Sequence, residues 1–374
     1  MNITAYVRKF GKKTLKEKPF NEVDALIFAE LAYINFDILL NGVDNEELIL
    51  LKNLPLGLMK QLVEGEMCTL ANSPLLRELT ISERFKDTEV RYVKRTDSLE
   101  NEKQFFAVTF KLPNGEYYIS FRGTDLTLLG WKEDFNLSFL KEIPAQKEAI
   151  NYLNKVCQKI KGKFYLGGHS KGGNIAFYSA IKMSDDLFKN LITAYSFDGP
   201  GFRSGVFTMD EFNLRKNKMV KIVPSESIVG ILLNHQIKEK IVDAHSLSIF
   251  QHDPFNWRIK QNGEFYYLDR RHISSYINEK TMCDWLNSMN EEDTKMTANA
   301  VFTMLGGDIS KTLSYLVSHF PSTIKKFITA SQSFTDEEKA KLKHNLMTLF
   351  KYHKEAKKYF KGQQKALNYE NQSK

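Results

Sequence analysis

Residues 163–183 have the sequence KFYLGGHSKGGNIAFYSAIKM, and this stretch indicates the fold class. Residues 163–167 form a short apolar run that predicts a strand, and residues 172–183 have the apolar spacing of a helix. A single serine, Ser170, lies between them with glycines on both sides. Because parallel α/β sheets are built from strands that alternate with helices, the stretch predicts an α/β fold with Ser170 at a strand-to-helix turn.

The segments on either side continue this alternation. An amphipathic helix is predicted over residues 20–40, with Asn21 or Asp24 as its cap. Asn114-Gly115 predicts a hairpin turn, so the sheet is expected to begin antiparallel. The other predicted elements are strands at 90–95, 104–110, 117–121, 191–197 and 219–223, a helix at 146–161, and a last hairpin from 257–259 to 264–268. We therefore expect a mostly parallel sheet flanked by helices.

Strand signals cease beyond about residue 290. Residues 296–320 and 323–333 have helical spacing, and a last helix with lysines on its opposite side presents one apolar face, formed by Leu342, Leu346, Leu349, Ala356 and Phe360. The chain is accordingly divided into a basic N-terminal segment, residues 1–18, an α/β domain, residues 19–290, and a helical C-terminal extension, residues 291–374.

The net charge belongs to the two ends of the chain. The formal charge of the 374 residues is +8, which is typical of proteins that bind nucleic acid or anionic membranes. Residues 1–18 hold six basic side chains and one acid, and residues 336–374 hold ten lysines and five acids, so the body between them is nearly neutral. A peripheral contact of the ends with an anionic membrane is expected. Nucleic acid is a less favoured partner, because the tail presents an apolar helical face rather than interleaved aromatic side chains.

The cysteines and the apolar runs exclude several classes of protein. Cys68, Cys157 and Cys283 are scattered and have no metal-ligand spacing, so we expect no disulfide framework, no metal and no cofactor. No apolar run follows the basic N-terminus, and no run approaches the length of about 18 residues needed to span a bilayer. A cytoplasmic location is expected.

The chemistry is expected at the Gly168-His169-Ser170-Lys171-Gly172 segment, which satisfies Gly-x-Ser-x-Gly. In a nucleophile elbow of this kind a serine occupies a strained strand-to-helix turn, and small neighbours let the backbones pass closely. The amide of the residue after the serine, Lys171, then points at the place where negative charge develops. Ser170 is the candidate nucleophile. A glycine-rich turn with an ordinary capping serine is the plainer alternative, and the residue order of a phosphate-binding loop is absent.

A serine nucleophile needs a base and an acid that orients the base, which in this fold follow the serine in the order acid, then histidine. His252 lies in a turn before a predicted strand and is the favoured base, with His245 as the alternative. Asp198 ends the strand after the elbow helix and is the favoured acid. Glu226, which follows the strand at 219–223, is the alternative acid.

With these residues in view, the sequence resembles the class 3 (fungal-type) lipases of the α/β-hydrolase superfamily, and more closely a bacterial lipase-like family of unknown function. The matching segments are 121–124, 131–135, the elbow, 196–201 and 252–257, within about residues 20–280. The resemblance implies an α/β-hydrolase-type sheet. It also implies that Thr124, after Arg122-Gly123, forms an oxyanion hole with the amide of Lys171, and that His252, before Trp257, is the base.

Two positions depart from the lipase pattern. Lipases of this class carry their acid at the place where this chain has Ser227, so the acid must come from Glu226 or Asp198. Lys171 stands where lipases usually have an apolar residue, which argues against a purely apolar acyl pocket.

The resulting hypothesis is a serine carboxylesterase or lipase-like hydrolase that acts on a small-molecule or lipid ester through an acyl-enzyme. The alternative is an inactive lipase-like scaffold whose basic ends bind a partner or an anionic membrane surface. Residues 125–145 and 200–218 are the two candidates for a lid.

Overall fold

The structure is a computed structural model that describes residues 1–40, 42–44, 46–64, 69–98, 100, 103–124, 136–137, 140–233, 236–304 and 335–372. Strands β1 to β9 are Leu48–Leu50, Glu89–Ser98, Lys103–Lys111, Tyr117–Phe121, Phe164–His169, Leu191–Phe197, Met219–Pro224, Lys240–Val242 and Tyr267–Leu268. Helices α1 to α11 are Ile3–Phe10, Glu22–Leu31, Met59–Val63, Thr69–Ile81, Pro144–Lys159, Lys171–Lys182, Asp185–Asn190, Met209–Arg215, Ile273–Asn287, Glu291–Met304 and Asp336–Gln372.

The strands form one sheet in which they lie side by side in chain order. Strands β1 to β4 pair antiparallel, β4 to β8 pair parallel, and β9 returns antiparallel to β8. The predicted α/β class is confirmed as a mixed sheet flanked by helices. In the parallel half of the sheet, Ser170 follows the carboxyl-terminal end of β5 and Asp198 follows that of β6.

The helices cover both faces of the sheet, and alternating strand residues supply the two cores. On β4, Tyr118 belongs to the core shared with α1 and α2, whereas the next residue, Ile119, belongs to the core shared with α5 and α6. A right-handed crossover between neighbouring parallel strands always passes over the same face. The chain order of the strands therefore puts α5, α6 and α8 together on one face and leaves the other to the N-terminal helices.

Helix α1 lies within residues 1–18, which the charge distribution alone separated from the α/β domain. Asn2 caps the helix by accepting a hydrogen bond from the Ala5 amide at 3.0 Å. Its apolar side, which includes Tyr6 and Phe10, is buried in the same core as α2. The Met1 ammonium group donates to the Ile259 carbonyl at 2.9 Å. The first helix is thus packed on the sheet domain.

Helix α11 packs along α9, which begins inside the range predicted for the α/β domain. The Trp285 indole donates to the Asn345 carbonyl at 2.7 Å, and Thr281 Oγ1 lies 3.3 Å from His353 Nδ1. The C-terminal helix is joined to the body through α9. Most of the two helices predicted over residues 296–333 lies outside the described residues, apart from the part of the first that falls in α10.

Two predicted elements differ from the structure. The helix expected over residues 20–40 ends at Leu31. The chain then turns, with its apolar side chains still buried, so hydrophobic periodicity alone did not reveal the end of the helix. The last hairpin was also wrong in extent. The segments do pair across the turn, with a bridge of Ile259 and Phe265, but only Tyr267–Leu268 joins the sheet. The Ile259 amide donates to the Met1 carbonyl at 2.8 Å.

Candidate active site

Ser170 occupies a strained turn between β5 and α6. Its φ of 55° and ψ of −130° lie in a region that residues with a side chain rarely adopt, and its exposure is only 6%. The Ser170 amide donates to the Phe197 carbonyl at 2.9 Å, which ties the turn to the end of β6. The strand, the sharp turn and the helix have the form of a nucleophile elbow.

Glycines make this turn possible because backbones approach closely there. A Cβ added at Gly172 would lie 2.1 Å from the Phe121 carbonyl oxygen, and one at Gly168 would lie 2.4 Å from the Gly172 carbonyl carbon. Neither space admits a side chain. The first turn of α6 therefore packs directly on the ends of β4 and β5.

Asp198 follows β6 and is fully buried. Its Oδ2 lies 2.6 Å from His252 Nδ1. Its Oδ1 accepts hydrogen bonds from Ser227 Oγ at 2.5 Å and from the Gly230 amide at 3.1 Å. A buried carboxylate is costly unless its oxygens are hydrogen-bonded, and here both oxygens have partners.

Glu226 and His245, the alternative acid and base, lie elsewhere. The Glu226 carboxylate accepts from the Ser248 amide at 2.7 Å, and the Glu226 amide donates to Gln251 Oε1 at 2.8 Å. Glu226 thus stabilises the loop before His252 rather than the imidazole. His245 is exposed at the start of that loop.

His252 presents one ring nitrogen to Asp198 and keeps 11% of its side chain exposed. Among the residues that the structure describes, Ser170 Oγ makes no hydrogen bond. Hydrogen bonds between a nucleophile and its base are often long before substrate binds. The geometry therefore brings His252 and Asp198 into contact and places Ser170 at the neighbouring strand end.

His169, next to the nucleophile, is a buried support for the His252 loop. Its Nε2 lies 2.8 Å from the His252 carbonyl oxygen, and its Nδ1 lies 3.1 Å from the Tyr33 hydroxyl. A carbonyl can only accept, so Nε2 carries the proton and Nδ1 accepts from Tyr33. Burial lowers the pKa of His169 and keeps the ring neutral. The sequence does not predict the contact of Tyr33 with His169, because no local pattern relates a tyrosine after a helix to a residue so distant in the chain.

Glu30, in the last turn of α2, lies behind His169. Its Oε1 is 3.8 Å from His169 Nδ1 and has no hydrogen-bond partner within the described part of the chain. Burial raises the pKa of this carboxyl well above its ordinary value, and the nearby Asp253 charge raises it further. Burial therefore favours the protonated form of Glu30.

The two expected oxyanion residues lie on either side of Ser170. A Cβ added at Gly123 would be 3.2 Å from Ser170 Cβ, so the backbone leading into Thr124 passes beside the serine. Thr124 is buried, and Lys171 begins α6, where backbone amides have no partner within the helix. The Lys171 side chain is buried, and its Nζ donates to the Gln104 carbonyl on β3 at 3.3 Å.

The first lid candidate, residues 125–145, lies mostly outside the described residues. In the second, residues 200–218, a loop leads into α8 and lines a cavity of about 260 Å³. Phe177 of α6 and Lys221 of β7 form other walls of this cavity.

The described ranges contain no candidate metal site and no candidate membrane-spanning helix. No group of three or more His, Cys, Asp or Glu side chains there is placed to hold a metal ion. No helix in these ranges is long and apolar enough to cross a bilayer.

The chain matches a protein family and is similar to a solved structure. A family model described as Mbeg1-like matches residues 79–303, which include β2 to β9 and the elbow. A solved structure described as M37 lipase is 18% identical, over 57% of this chain and 70% of that chain, with a TM-score of 0.37. No curated protein matches the sequence.

Proposed function

The chain belongs to the Mbeg1-like family, and from that premise we propose that it is a serine hydrolase that cleaves esters. The observation that carries the proposal is the 2.6 Å contact between His252 Nδ1 and the buried Asp198 carboxylate, at the strand end beside the Ser170 turn. An imidazole held by a buried carboxylate next to a strained serine is the arrangement that activates a hydroxyl for acyl transfer.

In the proposed reaction Ser170 Oγ attacks the ester carbonyl carbon while His252 Nε2 takes the hydroxyl proton. The tetrahedral intermediate collapses, the bond to the alcohol oxygen breaks, and His252 returns the proton to the leaving alcohol. Water then attacks the acyl-serine with the same proton transfers and releases the acid. The reaction uses no metal and no cofactor.

The surroundings of Asp198 support its proposed part in this reaction. Its contact with Nδ1 holds the imidazole so that Nε2 is free to act as the base, and it stabilises the imidazolium that forms. The Ser227 hydroxyl and the Gly230 amide hold the other carboxylate oxygen. The Thr124 and Lys171 amides are the proposed donors to the oxyanion, and the loss of one such donor costs about 10²–10³ in rate.

Substitution of the proposed nucleophile tests the function directly. Wild-type protein is expected to react with a fluorophosphonate probe and to hydrolyse short p-nitrophenyl esters. The Ser170→Ala variant should lose probe labelling completely and lose turnover by on the order of 10⁶. Ser184→Ala, which changes an exposed serine before α7, is the matched control and should retain labelling.

Two results would contradict the proposal. Labelling that persists in Ser170→Ala would remove Ser170 from the chemistry. Absence of labelling in folded wild-type protein would favour the inactive scaffold over the hydrolase.

A further inference from the structure

Helix α11 carries a row of exposed lysines on the side that faces away from the protein. At 100° per residue these lysines fall within about a third of the helix circumference, and the buried Leu342, Leu346 and Ala356 lie on the adjacent side. None of them is ion-paired with a residue that the structure describes. We call this row the lysine face, and it consists of Lys351, Lys354, Lys357, Lys358 and Lys361.

The basic residues at the other end of the chain are partly occupied by the fold. Arg8 pairs with Glu78 at 2.7 Å, Lys9 Nζ donates to the Gln261 carbonyl at 3.0 Å, and Lys18 Nζ donates to the Asn262 carbonyl at 3.3 Å. The two basic ends of the sequence are therefore not equivalent. The five lysines of the lysine face are exposed and make no ion pair with a described residue, whereas Arg8, Lys9 and Lys18 are engaged by the fold.

An exposed apolar pair lies beside the candidate active site. Leu247 and Phe250 are 72% and 71% exposed, in the loop that leads to His252. Leu247 directly precedes the short helical turn Ser248–His252 and Phe250 lies within it, so both side chains extend into solvent from the same short loop. Large apolar side chains that are exposed together at the rim of a site are typical of an interaction surface, because binding removes them from water.

Contacts connect the apolar pair to the helix that carries the lysine face. The Ser248 amide donates to Glu226, and the neighbouring Ser227 carbonyl accepts from Ser275 Oγ at 2.8 Å in the first turn of α9. The next residue, Tyr276, has its ring 6.1 Å from that of Phe360 on α11. The loop with the apolar pair and the helix with the lysine face are therefore joined through α9.

We propose that the lysine face and the apolar pair dock together on an anionic lipid bilayer, with the lysine face at the headgroups and the apolar pair inserted between them. A bilayer offers both negative charge and an apolar layer just beneath it, so it accommodates both features. A nucleic acid would bind the lysines and leave Leu247 and Phe250 in water. The lysine face lies outside the residues that match the family, 79–303, and the docking does not depend on the proposed hydrolysis.

Binding is measured with the full chain carrying Ser170→Ala, so that the lipid cannot be cleaved during the experiment. Vesicles of phosphatidylcholine with phosphatidylserine are compared with vesicles of phosphatidylcholine alone by co-sedimentation. We expect binding to the anionic vesicles that weakens as salt is added, and little binding to the neutral ones. Because esterase activity plays no part in this measurement, its result and that of the Ser170 test can be told apart.

Two pairs of variants locate the surface. The triple variant Lys351→Gln, Lys354→Gln, Lys358→Gln should lose about fivefold in affinity per lysine, whereas the charge-matched Lys12→Gln, Lys13→Gln, Lys16→Gln should bind as before. Leu247→Ser with Phe250→Ser should weaken binding at least tenfold. The control Ile81→Ser with Leu214→Ser removes apolar side chains of similar exposure, 74% and 69%, and should have no effect.

Several outcomes would overturn the proposal. Equal losses from the N-terminal and C-terminal lysine variants would make the attraction a matter of net charge alone. Unchanged binding after loss of the apolar pair, with tight binding of duplex DNA through the same lysines, would favour nucleic acid. A dimer in solution that dissociates in Leu247→Ser with Phe250→Ser would make the apolar pair an interface between two copies of the chain.

Discussion

At the scale of single residues, the departure of Ser227 from the lipase pattern has a structural explanation. The Ser227 hydroxyl donates to Asp198 Oδ1 at 2.5 Å, and Asp198 reaches His252 from the neighbouring strand. The position at which the class 3 lipase pattern has its acid thus holds here a hydrogen-bond donor to Asp198. A carboxylate at both positions would place two negative charges in contact within a buried site.

This arrangement predicts which acid variant is crippled. Asp198→Asn is expected to lower kcat on a p-nitrophenyl ester by about 10⁴, because the amide cannot stabilise the imidazolium and favours the wrong tautomer. Glu226→Gln serves as the control and should retain activity within a few fold, since Glu226 contacts the Ser248 amide instead. The opposite ranking of the two variants would move the acid to Glu226.

At the scale of elements, helix α2 is buried along most of its length, and its last turn meets the end of β5. All residues from Val23 to Leu31 are buried, so the helix is enclosed on all sides. Glu30 is enclosed with it and faces His169 at 3.8 Å, with Asp253 as the nearest charge. The junction of α2 with the elbow therefore contains a buried carboxyl whose pKa is raised by its burial.

The burial of Glu30 is expected to make the free energy of unfolding depend on pH. Its folded pKa lies above the ordinary value of 4.5, so the folded state holds a proton that the unfolded state releases above that pH. The contribution of Glu30 to stability is complete below about pH 4.5 and is lost as pH rises toward the folded pKa. Glu30→Gln does not titrate, so in urea unfolding its stability relative to wild type should rise as the pH is raised above about 4.5 toward the folded pKa of Glu30. Parallel stability curves for the two proteins would show that Glu30 is not held protonated.

At the scale of the whole molecule, one buried ion pair connects the N-terminal segment to the sheet domain. Arg84 Nε donates to Asp24 at 2.8 Å, and the same guanidinium donates to the Lys18 carbonyl at 2.6 Å and the Pro19 carbonyl at 3.2 Å. Both charged side chains are fully buried. Residues 1–24 are thereby held to the α4–β2 connection as part of one body.

Removing this guanidinium is expected to destabilise the entire protein. Arg84→Met leaves the buried Asp24 charge without its counter-ion and removes the donor to the Lys18 and Pro19 carbonyls, which should lower the free energy of unfolding by about 3–5 kcal/mol. Arg77→Met, at an exposed position on α4, is the matched control and should change it by no more than about 0.5 kcal/mol. Urea unfolding measures both, and limited trypsin digestion should reveal early cleavage near Lys12 and Lys13 only in Arg84→Met. An Arg84 variant as stable as wild type would mean that the segment is held by its apolar side alone.

The sequence by itself determined those features that depend on neighbours along the chain. The strand-to-helix turn at Ser170 is encoded by local glycines, and the α/β alternation follows from the period of apolar residues, which is a property of short windows. Asp198 and His252 were identified as candidates by their positions after a strand and before one. Helix α1 and strands β1 and β8 were missed, because their segments are short or their burial comes from distant partners.

Only the tertiary structure decided which side chains meet. His252 contacts Asp198 rather than Glu226 because the pairing of β6 with β7 brings the end of β6 under the His252 loop, across 54 residues of sequence. Tyr33, Glu30 and His169 come together because α2 crosses the end of β5. The +8 charge divides between a packed N-terminal helix and an open lysine face for the same reason. Contacts between distant segments depend on packing and strand register, which no local pattern of residues contains.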